Sequence, residues 1–500
     1  MTIHMADMGY SSDYAVYLTE NNGVQIVVNF LSLSILKELR LRELSPSEIS
    51  VTLDVPKSTI QGNINKLIRM GIVAQDTRID DTRSVVYHIS AMQLFSSESD
   101  IEWQLSARSA SVTRIMRVGR CTSAEDISLY GVSLTESGLN IVQGLFNVGA
   151  ALVKDKDDLG WWNDLFNQID KQSGKHGISV QMNTDDGLKL RFESKTEDIS
   201  DISMVMFPML GAVIYNSKNI FGYHLAHDAS LKVSNNGFVV EMHVPRFEGQ
   251  DFENRLDIKR GRSSFKIDEQ FSVYSIDGTA VLFTNPTMMA ILDCLSESDL
   301  SLGDLERSTG LSKATVYAAL TKLIGIGAVD SVKNRGEMMK YTLEADPILY
   351  TTRETNDDFD KMDDVVLKFH RGEIDYYSAV TSYAMLAIGC MGIHFDKMFI
   401  RSGRNAALSV IEADPDIQPQ ELVELSCAMV SSPDKAEIRT YIPLCIDVTL
   451  SQKSLWESWP GDFVMGFLSE GLKRLIGTGY KISVIVNKEG EPEPVTILES

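Results

Sequence analysis

Apolar residues recur at helical spacing over Phe30–Leu41, and the next segment opens with Ser45-Pro-Ser-Glu48, a capping box with Pro at the first helical position. The pattern predicts a short helix to Leu53, a tight turn through Asp54-Val55, and a third helix from about Pro56 to Met70. The buried stripe of that helix would be Ile60, Ile64 and Leu67, with Gly71 as its stop. Ile72-Val73, a polar loop over Gln75–Arg83 and the alternating strand Val85-Val-Tyr-His-Ile89 complete a hairpin.

This pattern occurs twice. Asn29–Val73 aligns without a gap on Asn285–Val329 at a constant offset of 256, with 13 identities in 45 positions. The second occurrence has Met288–Leu295, a capped helix at Ser301-Leu-Gly-Asp304, a turn at Gly310-Leu311, a third helix Ser312–Ile326, then Gly327, Ala328-Val329 and the strand Lys340-Tyr-Thr-Leu343. Upstream, Tyr17–Gly23 leading into Val24–Val28 parallels Tyr274–Gly278 leading into Ala280–Phe283. Downstream, Leu188–Phe192, Met204–Tyr215 and Phe221–Leu225 parallel Tyr441–Val448, Phe463–Ile476 and Tyr480–Val486, as strand, glycine-containing helix, strand. The expected fold class is α+β, two tandem copies of a helical domain with a β-hairpin followed by a mixed domain. The boundaries are 14–95, 96–250, a linker at 251–270, 271–350 and 351–500.

Leu53–Ile60 with Lys66–Val73, and Thr309–Val316 with Lys322–Val329, resemble the winged helix-turn-helix domains of MarR, ArsR, IclR and TrmB type transcriptional regulators. The resemblance implies that each third helix enters a major groove of DNA. Off the buried stripe this offers Lys57, Ser58, Thr59, Gln61, Gly62 and Asn65 in the first copy, and Lys313, Ala314, Thr315, Tyr317, Ala318 and Thr321 in the second. Gln61 and Asn65 carry the donor and acceptor that suit adenine, whereas Thr59 and Thr315 near the helix starts suit phosphate. The hairpin loops add Arg78 and Arg83, and Lys333 and Arg335, for backbone or minor groove.

The longer remainders, about Ser96–Val244 and Glu354–Ser500, exceed what dimerisation helices need. In the first, helices are expected near Trp103–Val118, from the capping box Ser133-Leu-Thr-Glu136 to about Val153, and over Trp161–Asp170. Strands at Ile178–Met182 and Leu188–Phe192 follow, then the Met204–Tyr215 helix and closing strands at Phe221–Leu225, Leu231–Val233 and Phe238–Glu241. With Gly144 and Gly149 in a helix and a Gly174-Lys-His-Gly177 turn before a strand pair, this order resembles the 4-vinyl reductase family of small-molecule-binding domains. Gly392–Ala407, Gln420–Val430, Tyr441–Val448 and Gly461–Gly471 repeat it. The resemblance implies effector-sensing domains, for which Trp161, Trp162, Trp456 and Trp459 are candidate pocket aromatics, ordinary core packing being the competing role. Family members often carry cysteines near their final strands; Ser234–Gly237 and Glu489–Pro494 have none.

Charge refines this picture. The chain carries 47 Lys+Arg against 69 Asp+Glu, net −22, which opposes a uniformly nucleic-acid-coating surface. Ser45–Ser90 and Ser301–Leu343 carry 0 and +2, so the acidity, −24, lies elsewhere. No secretory signal is read at Met1–Asp7, and the longest apolar run, Met204–Tyr215, is far short of the ~20 residues a membrane span needs. Five scattered cysteines fit a reducing cytoplasm. His224-x-x-His227 lacks a third ligand, and Cys390, Cys427 and Cys445 fit buried structural thiols or a thiol or metal site. Arg255–Lys266 is a basic linker or a DNA-backbone contact. No catalytic set, metal site or cofactor motif is found, so the chain is not expected to be an enzyme.

Taken together the residues describe a cytoplasmic transcriptional regulator whose two winged helices read an asymmetric or pseudo-palindromic operator under control of sensor domains. Its expected partners are double-stranded DNA, a small-molecule effector and a second copy of the chain, with no membrane. The alternative is a protein-interaction scaffold or signalling adaptor whose winged helices no longer bind DNA.

Overall fold

The computed structural model describes residues 9–97, 142–247, 270–477, 480–482 and 495–499, apart from short loops at 20–22, 42, 78–84, 154–155, 157, 176–177, 184–186, 195–199, 226–229, 234–238, 245, 333–337, 354–358, 430–432, 442–443 and 451–458. The helix expected near Trp103–Val118, the Ser133–Ile141 start of the next one and the basic segment Arg255–Lys266 lie outside the described residues, and the remainder of that second helix is present over Val142–Leu152.

The first half begins with strands β1 (Tyr10–Ser11), β2 (Ala15–Thr19) and β3 (Gly23–Val27), helices α1 (Phe30–Leu41), α2 (Pro46–Leu53) and α3 (Lys57–Arg69), and strands β4 (Val73–Thr77), β5 (Val85–Ile89) and β6 (Met92–Ser96). It continues with α4 (Val142–Leu152), α5 (Leu159–Lys175), β7 (Ile178–Asn183), β8 (Leu188–Ser194), α6 (Ser200–Tyr215), α7 (Ser217–Phe221), β9 (His224–Leu225), β10 (Ser230–Val233), β11 (Val239–Val244) and β12 (Arg246–Phe247).

In the second half come β13 (Ser272–Ile276), β14 (Thr279–Phe283), α8 (Pro286–Glu297), β15 (Leu300–Ser301), α9 (Leu302–Thr309), α10 (Lys313–Gly325), β16 (Val329–Val332), β17 (Lys340–Leu343) and β18 (Asp346–Thr351). They are followed by α11 (Phe359–His370), α12 (Tyr376–Cys390), β19 (Ile393–His394), α13 (Asp396–Ala413), α14 (Pro419–Met429), β20 (Pro433–Tyr441), β21 (Leu444–Leu450), α15 (Trp459–Ile476), β22 (Tyr480–Ile482) and β23 (Val495–Glu499).

Two small cores serve two heads, each of three helices and a β-hairpin, α1–α3 with β4–β5 and α8–α10 with β16–β17. One gathers Tyr17, Val27, Ile35, Leu36, Ile49, Ile60, Ile64 and Leu67; the other gathers Tyr274, Phe283, Ile291, Leu292, Leu305, Val316, Leu320 and Leu323. Between them runs a central core to which both halves contribute. Strand β2 is buried at all five positions because Ala15 and Tyr17 face their own head while Val16 and Leu18 face this centre. Strand β13 does the same, with Tyr274 and Ile276 toward its head and Val273 toward the centre. Phe95 of β6 meets Phe271 across the join at 6.3 Å. Both faces are therefore covered and neither strand has a solvent face, so even Thr19 of β2 and Ser272 and Ser275 of β13 are buried.

The opening strand belongs to the other half. β1 extends the sheet β1-β14-β13-β18-β19, pairing Tyr10 with Phe283 and Ser11 with Leu282. Gly9, at φ +79°, accepts hydrogen bonds on its carbonyl from Thr284 N and Asn285 N at 3.0 and 3.2 Å. Asn285 in turn caps α8 by accepting from Thr287 N and Met288 N. A side chain at position 9 would be both strained in φ and pressed onto Asn285.

The mixed domains share a strand order. The first has β10-β11-β8-β7 and the second has β22-β23-β21-β20. Each sheet is accompanied by a tightly crossed helix pair, α4 with α6 and α13 with α15, whose approach is set by glycines. A Cβ on Gly149 would overlap the Pro208 carbonyl oxygen and one on Gly211 that of Phe146. One on Gly403 would overlap the oxygen of Phe463, and one on Gly466 that of Ile400.

Three local expectations need correction. Phe221–Leu225 is not one strand: Ser217–Phe221 forms α7, and Gly222, at φ +75°, turns the chain into the short β9. Tyr441–Val448 is not one strand either, since β20 and β21 form an antiparallel hairpin with Tyr441 opposite Leu444. Lys175 extends α5 into the expected Gly174–Gly177 turn.

Candidate nucleic-acid interface

Each head builds its third helix from the same local devices. Ser45 Oγ accepts from Glu48 N at 3.3 Å while Glu48 Oε2 accepts from Ser45 N at 2.7 Å; Ser301 and Asp304 repeat the box at 3.3 and 3.0 Å. The Asp304 carboxyl is held below its ordinary range, chiefly by the hydrogen bonds from Ser301 and then by Arg307. Replacing Ser45 or Ser301 by alanine removes one cap, and each variant is expected to lose about 1 kcal/mol of head stability in a thermal melt.

The turns between second and third helices are left-handed at Asp54 (φ 51°) and Gly310 (φ 67°). Glycine adopts this region freely and Asp tolerates it. The third helices, α3 and α10, bury Ile60, Ile64 and Leu67, and Val316, Ala319, Leu320 and Leu323. Both end at a positive-φ glycine, Gly71 (76°) and Gly327 (77°), where Ile72 N reaches Leu67 O and Ala328 N reaches Leu323 O. Behind them lie the hairpins β4–β5 and β16–β17. Tyr87 bridges Leu44, and Tyr341 pairs with Leu300, at matching places.

The outer faces of the two helices are open to solvent. Lys57, Ser58, Thr59 and Asn65 are exposed and Gln61 is half-buried; Lys313, Thr315, Tyr317 and Thr321 are exposed, as are Ala314 and Ala318. Arg78, Arg83, Lys333 and Arg335 lie outside the described residues. A methyl group added at Gly62 would meet nothing within 4 Å. Gly62→Ala is therefore expected to stabilise the first head by about 1 kcal/mol, read as a raised melting temperature.

Sequence reasoning missed the support under α3. Gln61 Nε2 donates to Asn65 Oδ1 at 3.0 Å and to Tyr87 Oη at 3.2 Å, so the wing tyrosine fixes a pair of amides on the exposed face. In the second head Tyr317 occupies the place of Gln61 and lies near Tyr341, whose hydroxyl is pushed up by burial and by that neighbour. The alternation of Val85–Ile89 was the available signal, since it already pointed Tyr87 inward toward the helix.

The second head is tied to the mixed domain that follows it by short contacts. Lys397 of α13 binds Asp293 of α8 at 2.8 Å and lies 5.2 Å over the Tyr350 ring; Arg401 binds Asp346 at 2.7 Å. Tyr350 stacks on His394 at 5.0 Å. Beside this joint, burial and the neighbouring Asp396 push the Asp462 carboxyl from 3.8 up to about 7. The folded chain thus holds that proton more tightly than the unfolded one, and the stability it contributes is lost as pH rises toward about 7. Asp462→Asn is expected to show a melting-temperature advantage over the parent that grows between about pH 4 and 7, reaching a few degrees, and then levels.

The candidate pocket tryptophans separate. Trp162 is buried in the central core, 1% exposed, with Nε1 donating to Lys156 O at 3.1 Å. Trp161 is half-buried and packs edge-on against Phe369 and His370 of the second half, at 5.6 and 5.7 Å, while His370 Nε2 lies 2.8 Å from Leu152 O. Trp456 is outside the described residues. Trp459 begins α15. Cys390 is buried with Sγ 3.9 Å from Met362 Sδ; Cys427 is in α14 and Cys445 in β21. Of the His224-x-x-His227 pair, His224 begins β9 and His227 is not described. Among the described residues no group of three or more His, Cys, Asp or Glu side chains is placed to hold a metal ion, and no helix is long and apolar enough to cross a membrane.

No curated protein and no solved structure matches the chain. Residues 288–332, from inside α8 to the end of β16, match the IclR helix-turn-helix domain family. The chain therefore carries one IclR-type helix-turn-helix DNA-binding domain there, which points to a DNA-binding regulator of transcription.

Proposed function

We propose that the chain is a sequence-specific regulator with two DNA-reading heads, the second being the IclR-type domain and the first its diverged duplicate, which together read an asymmetric or pseudo-palindromic operator. The carrying observation is the pair of exposed third-helix faces on one scaffold. Both start with Lys and Thr at matching places, Lys57 and Thr59, and Lys313 and Thr315. Supporting the duplication are the matched capping boxes, left-handed turns, closing glycines, sheet orders and glycine-set helix crossings. Also in its favour, the strand pairs β2–β6 and β13–β18 shift register at the same place, between Val16 and Tyr17 and between Val273 and Tyr274.

The mixed domains are the effector sensors in this proposal. Occupancy of the second acts on the second head through Lys397–Asp293 and Arg401–Asp346, and only to the extent that the effector prefers one arrangement over the other. The neutral to slightly basic heads approach phosphate while the acidic remainder stays away from it.

The test is selection of bound duplexes from a random pool, followed by footprinting and a salt titration. Two unlike half-sites about one helical turn apart, and affinity falling steeply between about 50 and 200 mM salt, are expected. A perfect palindrome bound by a single chain would defeat the asymmetric reading. An adaptor role is favoured instead by the apolar second wing, where Val332, Met338 and Met339 are 45, 78 and 44% exposed. Absence of any salt-dependent duplex binding, with capture of a protein through that wing, would establish it.

A further inference from the structure

Resting on the two-headed DNA reading, the third helices differ in a patterned way. Three places on their exposed faces are identical between α3 and α10: Lys57 and Lys313, Thr59 and Thr315, Lys66 and Lys322. The four places between and beside them differ, and the two amides among them are lost. Ser58, Gln61, Gly62 and Asn65 stand where the second head has Ala314, Tyr317, Ala318 and Thr321. Residues suited to the common phosphate backbone are thus kept, and at the places that meet base edges the two amides of the first head give way to an aromatic ring and a β-branched side chain, with alanine methyls beside them.

The hydrogen bonds sharpen this contrast. In α3 the Gln61 Nε2 is used on Asn65 Oδ1 and Tyr87 Oη, which turns Gln61 Oε1 and Asn65 Nδ2 into the remaining acceptor and donor of the pair. An adenine presents the complement in the major groove, an N6 donor and an N7 acceptor. In α10 the Thr321 hydroxyl donates to the Tyr317 carbonyl at 2.9 Å, so its one hydrogen is used within the helix and Thr321 has no donor left for a base, only its oxygen as an acceptor and its methyl. With the Tyr317 ring, 59% exposed, and the Ala314 and Ala318 methyls, it makes an apolar face of the kind that packs on a thymine C5-methyl.

We propose that the two heads read different bases at the equivalent half-site position: adenine through Gln61 and Asn65, and thymine, by its methyl group, through Tyr317 and Thr321.

The experiment uses the full chain and its selected operator, with single-base analogues, so that no variant has to fold. Replacing the assigned adenine by 7-deazaadenine removes N7, and replacing the assigned thymine by uracil removes the methyl. Each is expected to weaken binding about tenfold, while the same exchanges at the other half-site have little effect. The variant Gln61→Tyr with Asn65→Thr, at a half-buried and an exposed place, should lose its response to 7-deazaadenine and select thymine in the first half-site, with a melting curve to check its fold. Selected half-sites that are identical, or analogues that leave affinity unchanged in a chain that binds DNA, would overturn this assignment and leave the regulator standing. A chain that binds no duplex overturns both.

Discussion

Alanine at any one of Gly149, Gly211, Gly403 or Gly466 is expected to cost its mixed domain about 3 kcal/mol or more, seen as a melting transition lowered by roughly 10 °C and as early proteolytic cutting in that half. The reason is backbone against backbone. In each crossing the added methyl meets a carbonyl oxygen of the partner helix, and no side-chain rotation relieves it. The helices would have to separate, and the apolar surface they share, including Phe146, Leu210, Phe399 and Phe467, would lose its packing. Gly62→Ala, in an exposed helix with open space at the same atom, provides the opposite sign from the same substitution. If all five variants shifted stability alike, helix propensity rather than the crossings would be the governing effect.

The combined variant Lys57→Ala, Thr59→Ala, Lys313→Ala, Thr315→Ala is expected to bind its selected operator roughly a hundredfold more weakly at about 0.1 M salt. Each lysine that neutralises a phosphate releases about 0.9 counterion, worth close to one power of ten at that salt. The slope of log affinity against log salt should fall by about 2, and the loss should be nearly the same for every duplex sequence. Unchanged affinity with an unchanged slope would show that these faces do not touch DNA. The exposure of all four side chains makes loss of fold an unsuitable explanation, and a melting curve checks it.

The heads were legible in the sequence because their signals are local. A capping box, a stripe at spacings of four and three and a stop glycine each involve residues within one turn of each other, and α1, β5 and β17 appear at the expected bounds. The mixed domains were legible only in outline. Alternation ran through Tyr441–Val448 because apolar Ile442 and Pro443 continue it; the proline, which has no N–H for a ladder, was the sign of a break. β1 was invisible because its partner Phe283 is set by tertiary structure and its two residues carry no pattern of their own. Trp161 and Trp162 show the same limit: adjacent and alike in composition, one fills the central core and the other joins the halves. The amide pair on Tyr87 needed the hairpin folded back on the helix before it could be seen.

The pairing of Tyr10–Ser11 with Leu282–Phe283 has a consequence for synthesis. The chain's first strand has no partner until residues some 270 positions later have left the ribosome, a wait of tens of seconds at about 5–20 residues per second. During that time the edge of the second head that will receive it does not yet exist. The later-made head is therefore completed by residues made at the start of synthesis, whereas the core of the earlier head does not draw on β1. A bulkier residue at position 9, which would meet Asn285 at a positive φ, would disturb the head at the far end of the sequence and leave the nearer one intact.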